Sequence, residues 1–476
     1  MTGSVDNDYL GFSVSTAGDI NGDGYADVLV GAYGKESSKG YVYVIYGRPN
    51  FPASYANLNL TCLDPATTGF VIKGNVAGDK FGYSVSFAGK VNDDAYDDII
   101  VGAPAKASSK GIAYVIYGRP TNLMSNIDLA VITLDPTTNG FSITGESNGD
   151  NFGRAVSTAG DVDNDGYDDM VIGASRKASN QGATYVVYGK PNSQRSPSLD
   201  LASVTLGLGS LFGFRITGTA ASDYFGLSVS TAGKVNNDDY DDIIIGADGW
   251  NTDQGAAYVV YGGLRSSLVN IELATVPLDS TSTGFTITGI AGSNLGRSVG
   301  TLGDLNQDGY DDIFVGAFGG NGVVYVIYGR EASLLSDIDF VSETLDPQTT
   351  GFTITDSSYA GHLGFSTRAA GDVNGDGYPD IIAGADLYQS SQGAIYVICG
   401  GPTSSRSNID VSVTPLDPDS TGFMVAGNAG GDGFGYSVNK AGDVNGDGYD
   451  DIMVGAYKKN NKQGAAYVIY SSIWWR

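Results

Sequence analysis

The chain carries one histidine, two cysteines, and 26 basic residues against 53 acidic ones. With His362 alone, no relay built on a pair of histidines is available. Cys62 and Cys399 are too few for a disulfide framework. One lies after the first repeat and the other inside the sixth, so both are expected to be free, buried and apart. No apolar stretch approaches the length of a membrane span, and no segment keeps a helical period, so no direct membrane insertion is expected. The net charge of −27 argues against nucleic acid or an anionic membrane as the main partner. The opening MTGSVDNDYLG has neither the charged nor the apolar region of a signal peptide.

What the chain does have is repetition. A nine-residue acidic loop, first seen as DINGDGYAD over 19–27, returns at 90–98, 161–169, 234–242, 304–312, 372–380 and 443–451. The intervals are 71, 71, 73, 70, 68 and 71 residues. So steady a period over 476 residues predicts one architecture of seven equivalent units, not two or three domains. The 70 glycines suit many short strands joined by tight turns, and 41% hydrophobic residues suffice for a sizeable core.

The unit from Gly69 reads as four short strands. Gly69 to Gly74 is a glycine-bounded apolar segment whose GF-x-(I/V) pattern recurs at Phe141, Phe214, Phe285, Phe352 and Phe423. Tyr83 to Ala88 alternates small residues with Val85 and Phe87, as suits an inner strand crowded around an axis. After the acidic loop, Ile99 to Pro104 is an unbroken apolar run typical of a strand buried on both faces. Ala113 to Gly118 is rich in β-branched and aromatic residues. Four antiparallel strands in about 70 residues make one propeller blade. The fold class is therefore all-β, a seven-bladed β-propeller over 1–476. Only six GF-x-I segments are present, so blade seven is expected to lack its outer strand. Either upstream residues of a longer chain complete it, or the tail with Trp474 and Trp475 covers its edge.

Phe81-Gly82 before a strand, then the acidic loop, then Val101-Gly102-Ala103-Pro104 is the FG-GAP pattern, repeated as Phe434-Gly435 with Val454-Gly455-Ala456. The chain resembles FG-GAP β-propellers, similar to the seven-bladed head of integrin α subunits. It departs where Leu10, Leu295 and Leu363 replace the phenylalanine and where only Pro104 keeps the proline. Members of this broad family include adhesion receptors, lectin-like propellers and propellers appended to enzymes, so the resemblance implies the fold more firmly than the partner.

In the acidic loops, oxygen donors fall at positions 1, 3, 5 and 9, with a backbone carbonyl available at 7 and glycine at 6. That odd-numbered spacing resembles the first part of an EF-hand loop, and all-oxygen donors favour Ca²⁺. Five loops are intact: Asp19, Asn21, Asp23, Tyr25 and Asp27; Asp161, Asp163, Asp165, Tyr167 and Asp169; Asp304, Asn306, Asp308, Tyr310 and Asp312; Asp372, Asn374, Asp376, Tyr378 and Asp380; Asp443, Asn445, Asp447, Tyr449 and Asp451. Five calcium ions with a structural role are expected. In the other two, Lys90 and Lys234 stand at position 1 and glycine is lost at 6. Each ammonium is expected to replace the ion and pair with carboxylates at positions 5 and 9.

No nucleophile with an adjacent base stands out, so no catalytic residue is assigned and the chain is read as a non-enzyme. Binding is expected on the loops opposite the acidic ones. Those loops carry Lys35, Lys39, Lys106, Lys110, Arg176, Lys177, Lys458, Lys459 and Lys462 on four neighbouring blades, with Trp250 and Tyr388 on two others. A basic, partly aromatic arc fits a protein or an acidic glycan. The expected function is a monomeric, extracellular or cell-surface adhesion and recognition module. The alternatives are a lectin-like propeller or an accessory propeller of a larger extracellular enzyme.

Overall fold

The computed structural model describes residues 1–49, 58–358, 361–418 and 420–471. Seven sheets stand around an axis, and their innermost strands contact one another in turn until blade seven meets blade one. In blade one the inner strand is Ser13–Gly18, followed outward by Asp27–Ala32, Tyr41–Ile45 and Gly69–Lys73, all antiparallel. The architecture is the expected seven-bladed propeller, with three strands in the last blade.

The second strand of every blade is buried throughout, as in Asp98–Ala103, because neighbouring sheets cover both of its faces. The core therefore lies between blades. Leu29, Val42 and Phe70 of blade one pack with Phe81, Val101 and Tyr114 of blade two in one cluster. The FG phenylalanines are wedged there, Phe81 edge-on to Tyr114 with centroids 5.6 Å apart. Leu10, Leu295 and Leu363 fill the same site fully buried, so the substitution keeps the packing.

The glycines of the motif have a steric cause. A Cβ on Gly102, the GAP glycine of blade two, would sit 1.9 Å from the carbonyl oxygen of Gly153, the FG glycine of blade three. The two backbones touch, and no side chain fits between them.

Two features correct the sequence reading. The segment Gly69–Lys73 is the outer strand of blade one, not the first strand of the blade that holds Ser84–Gly89. The sequence repeat is thus offset from the blade by one strand, and each unit is tied to its neighbour. Blades one to five also gain a short fifth strand, such as Ile127–Asp128 running parallel to Gly69–Lys73. It comes from the long connection before the next outer strand, where no alternating pattern signals it.

In blade seven, Ala465–Ile469 is the outermost full strand. Met1 to Gly3 run along its first residues, with a Thr2–Ala465 bridge and Gly3 N–H donating to the Gly464 carbonyl at 2.9 Å. Trp474 and Trp475 lie outside the described residues. Cys399 is buried as expected, whereas Cys62 is exposed, because its short 3₁₀ turn lies at the surface.

Six of the seven connections between second and third strands contain three consecutive non-glycine residues at φ of +43° to +66°, for example Ala107, Ser108 and Ser109. A left-handed turn costs about 1–2 kcal/mol per residue. Its carbonyls offset this by accepting N–H groups of the next blade: Ser108 from Gly149, Ser109 from Asn151, Lys110 from Phe152. The same stitch closes the ring, with Asn461, Lys462 and Gln463 accepting from Asn7, Tyr9 and Leu10.

Candidate metal centres

All seven acidic loops emerge between first and second strands and so share one face. Position 9 behaves identically in every one. Asp27 accepts from Ile20 N–H at 3.1 Å through one oxygen and from Gly47 N–H at 2.8 Å through the other. Asp98 and Asp242, in the lysine loops, do the same with Val91 and Gly118, and with Val235 and Gly262. All seven are fully buried. Burial pushes their carboxyl groups upward, Asp312 to about 8 and Asp380 to about 7, with the backbone N–H groups offsetting part of the rise. Position 9 is thus first a backbone clamp, present with or without the remaining donors.

Position 8 points the other way. The Asp97 carboxylate accepts from Asp19 N–H at 2.8 Å, and Asp168, Asp241, Asp311 and Asp450 accept from position 1 of the preceding loop. Each Asp-Asp pair is therefore a structural joint, one carboxylate holding its own loop and the other the neighbouring blade.

Position 1 organises the turn. Asp19 accepts from Gly22 and Asp23 through one oxygen and from Gly24 through the other. Equivalent bonds to position 6 occur in all five intact loops. The position-6 glycines have φ of +89° to +96°, a backbone that aims their N–H at the aspartate. In loops two and four Ala95 and Asp239 are not left-handed. Without the acceptor at position 1 the unusual turn has nothing to bond, which explains why both features are lost together.

Position 5 also bonds locally, Asp23, Asp165, Asp308, Asp376 and Asp447 each accepting from the N–H of the tyrosine at position 7. In loop three the carboxylates of Asp161, Asp163 and Asp169 converge within 4.8 Å of one another. One oxygen of Asp163 is buried with no hydrogen-bond donor. A divalent cation answers both conditions, so this donor set fits a hard metal ion. Arg265, from blade four, also reaches in and contacts Asp163 and Asp165.

The lysine loops differ from expectation. Lys234 Nζ donates to the backbone carbonyl of Asp239 at 3.1 Å. Among the described residues, neither Lys90 nor Lys234 forms an ion pair with position 5 or 9, since the position-9 carboxylates are already saturated by backbone and buried. Lys90 acts at longer range, partly offsetting the upward shift that burial imposes on Asp94 and Asp97.

The opposite face needs a larger correction. Six of the nine cations of the arc are paired within the chain. Lys35 meets Asp8 at 2.9 Å, Lys106 meets Asp79 at 2.7 Å, Lys177 meets Asp150 at 3.2 Å and Lys459 meets Asp432 at 3.3 Å, each from 27 residues away. Lys39 and Lys110 reach Asp128 and Asp200 on the fifth strands. These lysines brace the left-handed turns and do not present free charge. Trp250 and Tyr388 occupy the position of Lys35 in their blades and pack against core clusters. Among the described residues only Arg176, Lys458 and Lys462 of the arc lack a carboxylate partner.

Sequence reasoning missed the axial mouth on this face. Phe12 lies 4.6 Å from Tyr33, 4.8 Å from Tyr83 and 5.1 Å from Tyr436, between ring centroids. Tyr9 stacks on Tyr33, Phe365 touches Tyr436, and Tyr436 meets Tyr457 at 4.1 Å. All are partly exposed. Their shared place, just beside the FG dipeptide or the GAP segment, was the available signal.

The FG-GAP repeat family matches residues 10–45, 152–187, 225–260, 295–327, 366–398 and 434–469. The chain is 32% identical to integrin alpha-V of Gallus gallus over 234 residues, 48% of this chain and 19% of that protein. It is 29% identical to integrin alpha-5 of Xenopus laevis over 292 residues, 58% of this chain and 24% of that protein. The match thus spans about a fifth of the length of these relatives. Among solved structures, a lectin from Burkholderia pseudomallei superposes with a TM-score of 0.49 at 12% identity, over 98% of this chain and 97% of its own. Six matched FG-GAP repeats, regularly placed on a ring of seven blades, support an FG-GAP propeller that resembles the head of integrin α subunits.

Proposed function

We propose that the chain is a calcium-stabilised, non-enzymatic adhesion and recognition module acting outside the cell or at its surface. It engages a protein or acidic-glycan partner through the face opposite the acidic loops. The observation that carries this reading is the aromatic mouth. Phe12, Tyr33, Tyr83, Tyr436 and Tyr457 form one continuous, partly exposed surface at the ring axis. Partly exposed aromatic clusters are what binding hot spots are made of. Arg176, Lys458 and Lys462 on the surrounding loops supply the positive charge an acidic partner needs.

Calcium would be held by side chains at positions 1, 3, 5 and 9 and the carbonyl at position 7 of the five intact loops. It supplies charge compensation to crowded carboxylates, and so rigidity to the face from which blades are joined. His362, the only histidine, lies 3.4 Å from Asp386 with its ring beside Phe318, a packing arrangement that leaves the non-enzymatic reading in place.

The test is a binding screen of matrix proteins and glycans with calcium present and after chelation. A calcium-dependent partner lost on Phe12→Ser with Tyr436→Ser, in a folded protein, is the expected result. A partner that binds the double variant equally well would move the site elsewhere.

A further inference from the structure

The axis of the ring is a channel of about 460 Å³ lined by the seven inner strands. Its lining includes Arg154, Arg297, Arg368 and Lys440 and no aspartate or glutamate, in a chain with twice as many acidic as basic residues. Arg297 is paired, 3.4 Å from Asp248. Arg368 is not: among the described residues no carboxylate lies within ion-pair distance of it.

Strand register places Ser15, Ser86, Ser157 and Ser230 at one level of the channel. Arg368 and Asn439 stand at the same level on the sixth and seventh inner strands. On the fifth strand the position is Gly300. A Cβ there would lie 2.8 Å from the Phe314 ring, over which Arg368 is stacked at 6.0 Å. The glycine and the bulky phenylalanine together make a berth for the guanidinium.

Among the described residues, only Nη1 of Arg368 is hydrogen-bonded, donating to the Thr367 carbonyl at 2.8 Å and the Val299 carbonyl at 3.5 Å. Burial lowers its pKa to about 10, so it stays charged at neutral pH. A cation inside the ring without a counter-ion is costly, and Arg368 is among the residues that line the channel. Ser15 Oγ already accepts from Phe87 N–H and from Asn439, which leaves its own proton free to donate. The hydroxyls of Ser86, Ser157 and Ser230 have no partner among the described residues.

We propose that the axial channel is a binding site for a small tetrahedral oxyanion of the sulfate or phosphate class, held by Arg368 with the serine hydroxyls. Donors spread around an axis suit a tetrahedral ion, whereas a planar carboxylate is served by a single guanidinium fork. The ion enters through the aromatic mouth, and the site does not depend on any macromolecular partner.

The test is calorimetric titration of sodium sulfate into the full chain, with sodium chloride at matched ionic strength as reference and sodium acetate as a second arm. One saturable sulfate site per chain is expected, with acetate at least tenfold weaker. Arg368→Met should weaken sulfate at least tenfold. Asn439→Asp keeps the arginine but places a counter-charge at its level, and should weaken sulfate likewise; it decides alone if Arg368→Met does not fold. Absence of saturable sulfate binding, acetate binding as tightly as sulfate, or sulfate binding retained by either folded variant would overturn the proposal.

Discussion

Arg265 donates through Nε to one carboxylate oxygen of Asp163 at 2.6 Å and through Nη2 to Asp165 at 2.6 Å. Both aspartates are candidate calcium donors, so an arginine and an ion compete for the same oxygens in loop three. Loop three should be the weakest of the five sites. Arg265→Ala is expected to tighten it about tenfold, within the usual 1–3 kcal/mol range of such couplings. Calcium titration by calorimetry would show four strong sites and one weak site becoming five similar ones. No change in the binding isotherm would mean that the arginine does not compete.

Metal analysis of the chain equilibrated with calcium should find five ions. Asp304→Ala should remove one of them, together with about 2.7 kcal/mol of stability when calcium stands at a hundredfold excess over its Kd. Seven ions in the parent would sink the reading of loops two and four as metal-free.

Asp98→Ala separates the clamp from the metal. It strips acceptors from the buried N–H groups of Val91 and Gly118 in a loop without an aspartate at position 1. A loss of about 2–6 kcal/mol is expected, from two unsatisfied donors at about 1–3 kcal/mol each. Denaturant unfolding should give the same loss with calcium and with chelator. A calcium-dependent loss would place an ion in loop two.

The Lys106–Asp79 pair has side-chain exposures of 14% and 11%, between a surface and a buried ion pair. Lys106→Met should cost about 1–3 kcal/mol, and adding Asp79→Asn should recover part of it by removing the unpaired carboxylate. Partner binding should be unaffected in the folded single variant. Lost binding with unchanged stability would restore the lysine arc as a ligand surface.

Thiol labelling of the native protein should modify Cys62 and spare Cys399, which is 2% exposed. Both should react in denaturant. Equal labelling of the two in the native state would contradict the burial of Cys399 beneath blade six.

Much of the fold was legible because a propeller repeats its constraints. Gly102 and Gly153 show why the motif can be read: two backbones in contact admit only glycine, whatever surrounds them. The strand boundaries follow the same logic, since Asp98–Ala103 is apolar along its whole length only because two sheets cover it. The site was legible in its donors but not in its competitors. Arg265 lies about a hundred residues from Asp163, and no local spacing connects them.

The sequence by itself determined the number of blades, the strands within each repeat and the donor pattern of the acidic loops, because each depends on residues a few positions apart. Only the tertiary structure decided which strand completes which blade, which lysines are already neutralised and what lines the axis. Lys39 finds Asp128 on the added fifth strand of its own blade, and Arg368 finds Gly300 beside it through packing of one blade on the next. Charges spaced along a chain say nothing of their partners until closure of the ring brings distant carboxylates within reach of some and leaves others facing the axis without one.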